Sequence, residues 1–134
     1  MTTDSFRTAI VPEAADIDEL GHVNNVVIVR WLQDVATAHW TAAAPPHDLE
    51  RFIWVVSRHE IEYRRASLLG ETLEIETWGE KPRGARFDRC TTIRGPDGSV
   101  RVEARTTWVL MDRSLRRPAR VPPAIAGLFL KNLA

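Results

Sequence analysis

The chain has 134 residues, enough for one hydrophobic core and too few for two; 44% hydrophobic and 27% charged residues is ordinary for a folded domain and argues against disorder. Eighteen acidic residues offset eighteen basic ones, so the zero net charge withholds the attraction on which non-specific nucleic-acid binding rests. The apolar run at 26–29 is far short of a bilayer span, the single Cys90 has no disulfide partner, and the N-terminus shows neither a basic segment nor an apolar signal core; the expectation is a cytoplasmic protein without nucleic-acid or membrane partners.

In chain order, residues 6–12 form a β-branched run closed by proline and read as a first strand. The stretch Asp16-Ile17-Asp18-Glu19-Leu20-Gly21-His22-Val23-Asn24-Asn25 follows, with two carboxylates, a glycine suited to a sharp turn and two asparagines suited to start a helix. From Asn25 to Ala43 the polar residues Arg30, Asp34, Thr37 and Thr41 recur at spacings of four, three and four, which predicts a helix exposed along one narrow stripe and otherwise wrapped by protein. Arg30 and Asp34 are placed to pair along that stripe, and Pro45-Pro46 stops the helix.

A polar connection through Glu50 leads to four strand-like segments at 53–65, 72–78, 86–94 and 100–111. Turn signals at 66–70, 79–84 and Gly95-Pro96-Asp97-Gly98 separate them, so the short connections predict an antiparallel meander. Residues 113–120 read as a basic loop, and 122–133 as a short closing helix with proline at its start. One apolar sheet face needs a cover, and the long helix is the only element large enough. The chain therefore predicts a single α+β domain over 1–134, a curved antiparallel sheet of five or six strands wrapped around one central helix.

The residues of the acidic turn admit two readings. A helix beginning at Asn24 or Asn25 offers unpartnered N–H groups that can hold a carbonyl oxygen as it turns negative, with a carboxylate set beside it by Gly21. Equally, Asp and Asn before a helix often act only as caps. Asp18 and Asp16 both compete for the carboxylate role.

Asp16-x-Asp18-x-x-Gly21-His22-Val23-Asn24-Asn25, the strand end Glu60-Ile61-Glu62-Tyr63, Gly70-Glu71, Asp97-Gly98, and Thr107-Trp108-Val109 followed by Arg117-Pro118 and Val121-Pro122 resemble the 4-hydroxybenzoyl-CoA thioesterase family of hotdog-fold proteins. The resemblance covers nearly the whole chain in order. It implies a hotdog fold, a homodimer or dimer of dimers with sheets joined edge to edge, and acyl-CoA sites at the interface. It maps the catalytic carboxylate onto Asp18 and the amide that polarises the thioester carbonyl onto Asn25. Ile28 stands where many such relatives carry an aromatic residue, and Gln33 or Asp34 where they carry a glutamate, which bears on acyl specificity.

The implied activity is hydrolysis of an acyl- or aroyl-CoA to acid and CoA, with Asp18 as general base or as nucleophile. Two alternatives stand beside it: a thioesterase acting on acyl carrier protein, which would want a basic docking surface, and a non-catalytic module binding acyl thioesters. His22 is read as orienting the loop rather than as a base, with Gly21 and Asn24 shaping the substrate's seat. Arg83, Arg86, Arg89, Arg116 and Arg117, placed near strand ends, are candidates for the CoA phosphates, and Trp31, Trp54, Val56 and His59 for the acyl pocket. Ser57 and His59 share a strand face without a nucleophile elbow, and the four histidines show no metal-ligand spacing, so neither a serine triad, a metal nor a cofactor is expected.

Overall fold

Asn24 opens the long helix as the sequence predicts: its backbone is extended, and its side-chain oxygen accepts the N–H of Val26 at 2.9 Å. The computed structural model describes residues 5–130. Its elements are β1 (Phe6–Ile10), a 3-10 turn (Ala14–Asp16), α1 (Asn25–Ala43), α2 (Pro46–Arg51), β2 (Phe52–Tyr63), β3 (Leu73–Gly79), β4 (Arg86–Arg94), β5 (Val100–Asp112), β6 (Arg117–Pro118) and α3 (Pro123–Ala126).

The sheet curls around α1 in the hotdog manner, and the helix bounds coincide with those read from the polar stripe. The N-terminal half of α1 buries Val27, Ile28, Trp31 and Val35 against Leu73, Ile75, Ile93 and Val102. Trp40 and Ala44, near its other end, pack with Phe52, Phe87, Leu110, Val121, Ile125 and Phe129. These two apolar clusters are the core, and burial of their large side chains is the main force holding helix to sheet.

Three expectations change. The four strands do not form one meander: β3, β4 and β5 do, as antiparallel neighbours, but in the order β1-β3-β4-β5-β2 the strand β2 lies beyond β5, paired to it from Phe52↔Asp112 to Tyr63↔Val102. β2 and β3 are neighbours in sequence but not in space, because residues 64–72 cross between them instead of turning back. Buried Arg101 secures that crossing: its carbonyl accepts from the N–H groups of Arg64 and Arg65, and its guanidinium donates to the Ala66 carbonyl and both Glu71 carboxylate oxygens. Gly95 leaves the room, since a Cβ there would lie 2.2 Å from the Arg101 guanidinium.

The second change is at residues 46–51. Pro45 ends α1, but Pro46 starts α2, where a proline costs no hydrogen bond at the first helical position. The third is at the closing helix, which is confined to Pro123–Ala126; residues 131–133 of the longer helix expected there lie outside the described residues.

Candidate active site

The acidic stretch folds into a small hairpin that ends on α1. Ile17 and Val23 bridge antiparallel, the N–H of Asp18 donates to the His22 carbonyl at 2.8 Å, and that of Asn24 to the Asp16 carbonyl at 2.8 Å. Gly21 makes the reversal with φ of +82°, a conformation other L-residues enter only at a cost. The crossing loop holds this hairpin from below, with the Val23 N–H bonded to the Ser67 carbonyl and the Gly70 N–H to that of Pro12.

Within the hairpin the two candidate carboxylates differ. Asp16 is fully engaged, one oxygen accepting the Glu13 N–H and the other lying 3.3 Å from Arg30. Arg30 thus turns to Asp16 and not to Asp34, because the hairpin brings Asp16 beside the first turns of α1. Half-buried Asp18 accepts the N–H groups of Leu20 and His22 through Oδ1 alone, leaving Oδ2 without a hydrogen bond among the described residues.

The helix start is equally selective. Of its first four N–H groups, Val26's is taken by the Asn24 side chain and those of Val27 and Ile28 by the Asn24 carbonyl. The Asn25 N–H, exposed, donates to nothing among the described residues. Among the described residues the amides of Glu19 and Asn25 and one Asp18 carboxylate oxygen are left open in this hairpin-helix unit, that of Asn25 being the one at the helix start. His22 is exposed; its backbone closes the hairpin, while its imidazole makes no hydrogen bond among the described residues.

An aromatic cavity lies elsewhere, beside the C-terminal half of α1. It has about 480 Å³ and is walled by Trp40, Phe52, Trp54, Phe87 and Trp108, with Arg89 on its inner side and Arg113 at its rim. Of the pocket candidates, Trp54 lines it. Trp31 is a core residue at 2% exposure, and Val56 and His59 face inward on β2 without lining the cavity.

A polar belt crosses the sheet between the two apolar clusters. Gly79, Arg89, Thr106 and His59 are successive partners across β3, β4, β5 and β2, with Thr77 opposite Thr91 beside them. His59 Nδ1 is 2.8 Å from Thr106 Oγ1, and its Nε2 is buried without a partner. Burial lowers the pKa of His59; that of His39 falls to about 4, through burial first and the Arg89 charge second. Both rings are neutral at pH 7.

The arginines divide. Arg89 does not lie at a surface strand end, as its place in the sequence suggested; it is 6% exposed and points to the helix. Arg83 is committed to Asp88 at 3.0 Å. Arg86 and Arg117 are exposed and without an ion pair among the described residues, as are Arg113, Arg116 and Arg120. Cys90 donates to Glu80, and burial followed by that carboxylate pushes its thiol up to about 12, so it is inert. Among the described residues no three His, Cys, Asp or Glu side chains could hold a metal, and no helix is long and apolar enough to cross a membrane. The belt and its buried arginine were missed from sequence; the only signal was polar Thr77, Arg89, Thr91 and Thr106 at inward positions of otherwise apolar strands.

Residues 4–129 match the family model of the acyl-ACP thioesterase N-terminal domain. Chloroplastic palmitoyl-acyl carrier protein thioesterase of Cuphea hookeriana is 30% identical over 113 residues, which is 73% of this chain and 26% of that protein. The chain spans 18–27% of the length of the curated relatives it matches. Among solved structures, an acyl-ACP thioesterase from Bacteroides thetaiotaomicron superposes with a TM-score of 0.84 at 22% identity, covering 97% of this chain and 54% of that one. A thioesterase from Thermus thermophilus complexed with coenzyme A and zinc superposes with a TM-score of 0.79 at 23% identity, covering 92% and 90%.

Proposed function

Because the chain belongs to the family of the acyl-ACP thioesterase N-terminal domain, we propose that it hydrolyses acyl thioesters at the start of α1. The observation that carries this reading is that one unit holds, without partners among the described residues, both the Asn25 amide at the helix start and Oδ2 of Asp18. The amide, at the positive end of a 19-residue helix, would polarise the thioester carbonyl and hold the oxyanion. Asp18 would activate water or attack the carbonyl carbon, while Asp16, saturated by Glu13 and Arg30, keeps the hairpin in shape.

A second copy of the chain would complete the site. Leu20 and Val26, on either side of this unit, are 78% and 75% exposed, and β2 is an edge strand carrying exposed Ile53 and Val55. A homodimer would cover both and close a dry cleft over the thioester, giving the oxyanion interaction its strength.

The carrier is read as acyl carrier protein, after the family and the curated relatives, and four arginines between 113 and 120, without ion pairs among the described residues, supply a basic surface for an acidic partner. Acyl-CoA is the second reading, favoured by the resemblance in the acidic motif and by the fold it shares with a thioesterase solved with coenzyme A. Thiol release from one acyl group on both carriers tests the proposal: turnover that collapses in Asp18→Asn supports it, and no release from either carrier over a range of chain lengths defeats it.

A further inference from the structure

We infer that the cavity beside the C-terminal half of α1 binds an apolar chain ending in a carboxylate, with that carboxylate seated on the Arg89 guanidinium. As to where such a ligand comes from, the inference rests on the thioesterase reading.

Arg89 is 94% buried, being 6% exposed, and lines the cavity. It donates through Nη1 only, to His39 Nδ1 at 2.9 Å and Thr77 Oγ1 at 3.4 Å, and its cation lies 5.2 Å from the Phe129 ring centre. All three partners are neutral. The Nε–Nη2 edge donates to nothing among the described residues, and no Asp or Glu lines the cavity. An uncompensated buried charge is among the costliest features a fold can carry.

Arg101 shows how this fold treats a buried arginine that serves structure alone. Its guanidinium is forked onto both oxygens of Glu71 and capped by a backbone carbonyl. Arg89 has the same burial and no such fork. The edge left open is the one that takes a carboxylate in two parallel hydrogen bonds.

The walls decide the rest of the ligand. Trp40, Phe52, Trp54, Phe87 and Trp108 surround the space, and the Trp108 wall holds a second buried donor, Nε1, without a partner. About 480 Å³ falls in the range of small-molecule sites, roughly 300–1,000 Å³. One guanidinium in aromatic surroundings suits a monoanion on an apolar body; a dianionic phosphate would bring a charge these walls cannot solvate.

His39, the partner of Arg89, is fourteen residues along α1 from Asn25, about 21 Å at the helical rise. The carboxylate at Arg89 is thus not the group released at Asp18. It is either the far end of an acyl group carrying a second carboxylate or the head of a free acid bound on its own.

Titrations followed by the tryptophan fluorescence of the cavity walls test the inference with decanoate and decanol. Native protein should bind decanoate at least about tenfold tighter, the usual weight of a charge-assisted hydrogen bond, and Arg89→Met should bind the two alike. Equal affinity for acid and alcohol in native protein, or binding of neither, overturns the inference even if the variant fails to fold. Thiol release from the monothioester of hexadecanedioic acid, whose extended chain is long enough to span the two sites, and from hexadecanoyl thioester separates the two sources. A preference for the dicarboxylic substrate that disappears in Arg89→Met assigns the site to substrate, and its absence alongside selective decanoate binding assigns the site to free acid. Carboxylate-selective binding without hydrolysis of any thioester leaves this inference standing and removes the proposed function; hydrolysis without selectivity does the reverse.

Discussion

The two ends of α1 leave polar groups unpaired in different ways. At the N-terminal end the vacancies belong to an exposed loop: hairpin and cap take most of the backbone donors, and the Asn25 amide and one Asp18 carboxylate oxygen are left open among the described residues. Toward the C-terminal end the vacancy is the edge of a side-chain cation that lines an aromatic cavity. The first arrangement suits a group whose charge develops during reaction; the second suits a ligand already charged. Separate chemistry at separate ends implies that variants should affect one end without the other.

The largest effect expected is on turnover. Asp18→Asn keeps the Oδ1 that accepts from Leu20 and His22, so the hairpin should hold while thiol release drops by roughly 10²-fold or more. Decanoate binding in the cavity should not change. Asp16→Asn should leave turnover near native and lower thermal stability by weakening the contact with Arg30. If Asp16→Asn abolishes turnover and Asp18→Asn does not, the roles within the hairpin are exchanged.

Next comes acid stability, a property of the other end. His39 is held neutral in the fold with a pKa of about 4, below the ordinary 6.5, by burial and then by Arg89. Between those values the unfolded chain binds a proton that the folded chain does not, so stability is full above pH 6.5 and is lost as pH falls toward 4. His59, lowered by burial, acts in the same sense. His39→Gln retains an acceptor for Arg89 and removes the titration. Urea midpoints from pH 7 to 4 should therefore fall less steeply in the variant, and an unchanged slope would show that His39 already carries the proton.

Much of this was legible in the sequence, and the boundary of legibility has a physical cause. The polar stripe fixed α1 to the residue, because helical periodicity and a side-chain cap are local. Alternation located β2 to β5 within a residue or two, and the acidic motif located the hairpin. The hairpins β3–β4 and β4–β5 were legible from their turns, but the place of β2 was not: the β2–β5 pairing joins residues up to 60 apart, and the crossing that permits it depends on Arg101 meeting Glu71. For the same reason Arg89 read as a strand-end cation. Only the register Gly79↔Arg89↔Thr106 reveals that it faces the helix.

Arg101→Met tests whether the crossing loop serves one end or both. The loop carries Ser67, whose carbonyl holds Val23, and Glu71, which would be left half-buried without its cation. Removing one partner of such a pair should cost about 2 kcal/mol, less than for full burial because Glu71 keeps some contact with water. Turnover should fall with stability, since Val23 lies between the hairpin and α1. Decanoate affinity, measured well below the melting temperature, should stay native because no residue of the crossing lines the cavity.

The smallest effect expected discriminates most finely. Gly21 has open space where a Cβ would stand, so Gly21→Ala introduces no clash and costs only the left-handed backbone, about 1 kcal/mol. If the hairpin absorbed that strain by fraying, Leu20 and His22 would withdraw their N–H groups from Asp18, and turnover would fall further than stability. An equal loss in the two would mean that the alanine is tolerated in place and that the carboxylate keeps its setting. Since Gly21 and the cavity lie toward opposite ends of α1, decanoate affinity is the control: a change there in Gly21→Ala would show that the two ends are coupled, against the separation that their geometry implies.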